Sequence, residues 1–169
     1  MTRPRAVALL VAVLALAGCG AGDDRPETMS KARFVAEGDV VCAGLTDRFA
    51  RAGATDPQTP AEIEQSADVL ADLYGDLRKG LQDITLPTDP AERRGAAAYL
   101  SAVRRTDPAL ARLRSSAQRF VAVAGGNDPR ELTQAGNAVR AALDAFRAAQ
   151  AQAERRALDY GFDYCGNLE

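Results

Sequence analysis

Three cysteines are the residues of this chain best suited to covalent chemistry, and they sit in unlike surroundings. Cys19 ends the run Leu16-Ala17-Gly18-Cys19, behind a 12-residue apolar stretch from Ala6 to Ala17 and the positive charges of Arg3 and Arg5. A basic head, a short apolar core and small residues form the layout of a secretory signal. The four residues ending at Cys19 resemble the bacterial lipobox, in which a peptidase cuts just before a cysteine already carrying diacylglycerol. Twelve apolar residues fall short of the ~20 that a membrane-spanning helix needs, so the segment is built for removal. Two or three acyl chains would hold the mature protein stably, because each buried methylene contributes about 0.8 kcal/mol. The expected organisation is a signal peptide over residues 1–18, an acylated Cys19 with a polar tether over 19–29, and a folded domain over 30–169. The expected location is extracytoplasmic, on the outer face of the cell membrane.

Cys42 and Cys165 are then an even pair outside the reducing cytosol, and a disulfide is expected. It would close a loop for which the chain-entropy estimate is about 5 kcal/mol. Neither cysteine lies in a CxxC arrangement, so the pair reads as structural and not as redox chemistry. One tension remains: Cys42 lies about 18 Å along its helix and Cys165 lies beyond the end of the last one, so level helix ends would keep them apart. Either the helices are staggered or the tail folds back. Tyr160-Gly161-Phe162 favours the second, with Gly161 placed for a left-handed cap and Phe162 free to turn onto the last helical turn.

Other chemistry is narrowed by what is missing. The chain has no histidine, which excludes Ser/His and Cys/His nucleophile pairs, imidazole zinc sites and Glu-x-x-His di-iron sites. Ser115 and Ser116 have no histidine to activate them and no lysine paired nearby in sequence. No catalytic residue, metal or cofactor is expected. Loss of Arg3 and Arg5 with the signal takes the formal charge from −2 to −4, too mild and of the wrong sign for a general nucleic-acid binder. Two charged rows stand out. Glu64, Asp68, Asp72 and Asp76 recur every four residues, but one convex stripe cannot surround a hard cation and reads as a solvated face. Arg105, Arg112 and Arg119 recur every seven residues; they read as a solvated or salt-bridged flank, or as a recognition row for an acidic protein, anionic envelope polymer or lipid headgroup.

The elements that would carry these residues are helices. Ile63, Ala67, Leu70, Tyr74, Leu77, Leu81 and Ile84 alternate spacings of four and three, a regular apolar stripe. A second stripe runs from Ala96 through Tyr99, Val103, Thr106, Leu110, Leu113, Ala117 and Phe120 to Ala124, and a third from Leu132 through Ala135, Val139, Ala142, Phe146 and Ala149 to Ala153. A shorter one holds Phe34, Val41, Leu45 and Phe49. Tyr74 and Tyr99 fall inside stripes and read as core. Thr59-Pro60-Ala61-Glu62, Asp89-Pro90-Ala91-Glu92 and Asp128-Pro129-Arg130-Glu131 are three helix starts in one idiom: a capping residue, proline at the first helical position, and glutamate to complete a capping box. Asp107-Pro108 interrupts the long second stripe without a phase jump, which favours a kinked helix over a break. The fold expected is all-α, an antiparallel up-down-up-down four-helix bundle closed by one disulfide.

Phe34 to Cys42, FVAEGDVVC, together with Tyr160 to Gly166, YGFDYCG, resembles a group of small secreted or lipid-anchored helical proteins of actinobacteria. The resemblance implies a disulfide-closed helical domain and brings no catalytic residue with it. Two readings of function follow. The first is a non-enzymatic cell-envelope lipoprotein that binds a protein or anionic envelope partner. The second is a carrier holding a small apolar ligand between helices whose alanine-rich seams leave space.

Overall fold

A computed structural model describes residues 28–52 and 57–168. The chain forms α1 (Lys31–Ala52), α2 (Pro60–Asp83), α3 (Pro90–Arg104), α4 (Thr106–Ala124) and α5 (Pro129–Tyr160). The arrangement is an all-α, up-down-up-down four-helix bundle, with α3 and α4 laid end to end as the third arm. Both of these lie along α5, α2 packs mainly on α4, and α1 packs on α2.

The expected single kinked helix is divided. Pro108 has no N–H to offer the carbonyl of Arg104, and its ring crowds that carbonyl, so the helical ladder fails one turn upstream. Arg105 remains right-handed at φ −69° and ψ −13°, and its N–H shifts to the carbonyls of Ala102 and Val103. The buried Thr106 hydroxyl donates to the Val103 carbonyl at 2.7 Å.

All three helix starts are capped by their first residue, but only the first is a complete capping box, and neither Glu92 nor Glu131 closes the one expected of it. Thr59 and Glu62 form a complete capping box. Asp89 accepts from the N–H groups of Ala91 and Glu92 at 2.8 and 2.9 Å, and Asp128 from those of Arg130 and Glu131. Glu92 does not close a box on Asp89. Its carboxylate accepts instead from the backbone N–H of Lys31 at 3.1 Å, capping α1 from 61 residues away. A free N–H at a helix start is a strong claim on any nearby carboxylate.

At that end the chain is stapled. Gly161 takes φ +105°, and α5 closes with Gly161 N–H on Leu158 and Phe162 N–H on Ala157, a Schellman arrangement. Phe162 then turns inward, 1% exposed, against Phe34, Tyr99 and Tyr160. The tail folds back along α1, where the Asp39 carboxylate accepts the N–H groups of Asp163, Tyr164 and Cys165. The Cys42–Cys165 disulfide forms, with Cα atoms 5.1 Å apart, and both cysteines are buried. A folded-back tail, and not staggered helices, resolves the distance between them.

Candidate ligand groove

The apolar stripes do not stay buried along their whole length. On α2, Leu73, Tyr74, Leu77 and Leu81 are buried, whereas Ile63 and Leu70 nearer its start are only partly covered. On α4, burial is lost between Ala117 and Phe120, and on α5 Val139 and Leu143 are half-buried and Leu132 is exposed. These positions lie at one end of the bundle. The cause is a difference in arm length. α1 has 22 residues and α5 has 32, roughly 33 and 48 Å at 1.5 Å per residue. The start of α1 is level with the end of α5, since the Phe34 and Tyr160 rings meet at 5.9 Å. The start of α5 therefore projects roughly 15 Å past the end of α1. Phe49, whose ring meets Tyr74 edge-on at 6.3 Å, is the last α1 side chain packed on the core.

Beyond that point α2, α4 and α5 enclose a groove of about 610 Å³. Ala67, Leu113, Ala117 and Ala142 form a small buried cluster beneath it, and three of these four are alanines, so the helices approach closely without filling the space above. Ile63, Leu70, Phe120, Val139 and Leu143 make the walls. Gly136 faces the space from the interior of α5; a Cβ there would meet only Phe120 Cε2, at 3.6 Å. Glycine in a helix interior costs about 0.5–1 kcal/mol against alanine, and here no close packing requires it. Among the described residues the polar groups of the groove are Ser66, Thr133, Asn137 and Arg140, of which Arg140 alone is charged.

The sequence-predicted residues fall elsewhere. Cys19 lies outside the described residues. Arg105 stands at the α3–α4 junction and Arg112 and Arg119 on α4, all three exposed. Arg105 donates to Ser101 Oγ at 3.4 Å, and Arg119 borders a shallow cleft with Glu131 and Gln134. None of the three makes an ion pair among the described residues, and none reaches the groove. The acidic row of α2 is partly matched by neighbouring helices: Arg114 of α4 meets Asp68 at 2.5 Å and Arg48 of α1 meets Asp76 at 2.6 Å. Tyr74 and Tyr99 are core residues, 3% and 1% exposed, and burial raises both phenols above the ordinary tyrosine range. Among the described residues no three His, Cys, Asp or Glu side chains gather as a metal site, and no helix is long and apolar enough to cross a membrane.

Sequence reasoning did not locate the groove. Its signal was present in the unequal reach of the stripes, since α1 has four apolar seam positions ending at Phe49 while α5 carries its seam from Leu132 to Ala153. Comparison of the chain with protein-family models, curated proteins and solved structures finds no match.

Proposed function

We propose that this chain is an exported, lipid-anchored, non-enzymatic binding protein of the cell envelope, and that its ligand is a small apolar molecule held between α2, α4 and α5. The observation that carries this reading is the groove of about 610 Å³ with apolar walls and an alanine floor. Its size lies within the 300–1,000 Å³ range of small-molecule sites, and a few polar groups at an otherwise apolar surface are what such sites use to orient a ligand. Among the described residues lining the groove no nucleophile is paired with a base, which favours binding over turnover.

The test is titration of the mature domain with N-phenyl-1-naphthylamine, a neutral apolar fluorophore. Saturable binding at one site is expected, weakened at least ten-fold by Gly136→Leu, which places an isobutyl group in the groove while improving helix propensity. Non-saturable binding, or equal affinity in a Gly136→Leu variant of unchanged helicity, would remove the groove from consideration.

A second reading is favoured by one observation. Arg114 on α4 is committed to Asp68, whereas Arg105, Arg112 and Arg119 are exposed and make no ion pair among the described residues. A row of guanidiniums without ion pairs suits an extended anionic protein or polymer partner.

A further inference from the structure

We infer that the groove between α2, α4 and α5 takes the chain of a fatty-acid-type ligand, a single alkyl chain ending in a carboxylate, with Arg140 pairing with the head. The inference rests on the groove being the binding site and adds the class of molecule that fills it. It starts from the distribution of charge. The walls are Ile63, Leu70, Phe120, Val139 and Leu143; among the described residues the only charge lining the space is the guanidinium of Arg140, and no acid among them lines it. Arg140 is exposed and makes no ion pair among the described residues, so its guanidinium is available to a ligand at the mouth of the groove. Its neighbour along the same face of α5 is Asn137, three residues upstream, whose amide can donate to a carboxylate oxygen, whereas the Thr133 hydroxyl already donates to the Pro129 carbonyl at 2.7 Å.

Guanidinium binds carboxylate through two parallel hydrogen bonds, and one guanidinium balances one negative charge. The apolar walls then have only hydrocarbon left to cover. One chain suits the space better than a partner helix does. The groove spans Ile63 to Leu70 on α2 and Thr133 to Leu143 on α5, about two to three helical turns, which is too short to bury the roughly 800 Å² per partner of a stable protein interface.

The experiment is displacement of bound N-phenyl-1-naphthylamine from the mature domain at pH 8, where a fatty acid is ionised, by dodecanoate and by dodecan-1-ol. Dodecanoate is expected to displace the fluorophore at a concentration at least ten-fold below that of the alcohol, a charge-assisted pair being worth about that factor or more. In Arg140→Gln that preference should vanish, while affinity for the neutral fluorophore stays within two-fold. Equal displacement by acid and alcohol in the wild type, or an undiminished preference in Arg140→Gln, overturns the assignment of the head group and leaves the groove as a neutral apolar site. Displacement by an amphipathic helical peptide with none by dodecanoate overturns the ligand class. Failure of the fluorophore to bind at all defeats the groove itself, and so is distinct from every other outcome.

Discussion

Gly38 and Gly44 stand six residues apart in α1 and look alike in the sequence, yet the fold treats them differently. A Cβ on Gly38 would come within 2.5 Å of Phe162 Cε1, whereas nothing lies within 4 Å of one on Gly44. Phe162 cannot yield easily, being enclosed by Phe34, Tyr99 and Tyr160. Gly38→Ala should therefore destabilise by about 1–3 kcal/mol, overpacking outweighing the gain in helix propensity. Gly44→Ala should stabilise by about 0.5–1 kcal/mol. Urea denaturation of the two variants checks the pair, and equal shifts in midpoint would mean that the tail does not press on Gly38. Sequence reading could not separate these glycines, because the contact that distinguishes them comes from a residue 124 positions away. The same limit applies to Glu92, which local rules assign to its own helix start and which the fold assigns to that of α1. Residues whose partners are local were legible, among them Thr59, Asp89, Asp128 and Gly161.

At the scale of helices, seam periodicity identified most of the buried face, since a 3.6-residue repeat leaves few choices about which side turns inward. It did not say how much of each seam another helix would cover. That depends on where the arms stand relative to one another, which is set by the disulfide, by Glu92 on α1 and by the Schellman turn of α5, all gathered at one end. The charged rows divide by the same logic. The acidic row of α2 faces arginines of α1 and α4, while the basic row of α4 has no acidic partner among the described residues. Changing Arg105, Arg112 and Arg119 together to glutamine should leave helicity unchanged by circular dichroism, because none of them makes an ion pair among the described residues. It should also abolish in-cell crosslinking to an anionic partner that wild-type protein captures. Exposed charge pairs are screened by salt, so capture by the wild type should fall as ionic strength rises through 0.15 M, where the screening length is about 8 Å. Capture of the same partner by the triple variant at wild-type level would reduce the row to a solvated flank.

For the molecule as a whole, the two ends of the bundle carry different duties. One end holds the disulfide, the folded-back tail and the point where the chain enters the domain, where the Met29 carbonyl accepts from Thr88 N–H at 2.9 Å. The groove lies at the other end. With the proposed acyl anchor on Cys19, the ten residues from Gly20 to Met29 reach at most roughly 35 Å, and α5 extends roughly 48 Å from the stapled end to its start. On that proposal the stapled end is the one tethered to the bilayer, and the groove lies at the end remote from the attachment point. Anchoring and binding are then separable properties. Replacing Cys19 with alanine should move the protein from the membrane fraction to the soluble fraction, because the thiol that accepts diacylglycerol is gone. The affinity of the released domain for N-phenyl-1-naphthylamine should stay within two-fold of that of the anchored form measured in detergent. Fractionation of cells with mass measurement of the N-terminus, followed by titration, reads both. Unchanged membrane retention with processing at the same site would refute the lipobox. Release accompanied by a large gain in fluorophore affinity would show that the acyl chains of Cys19 occupy the groove, and would return the two ends of the molecule to a single function.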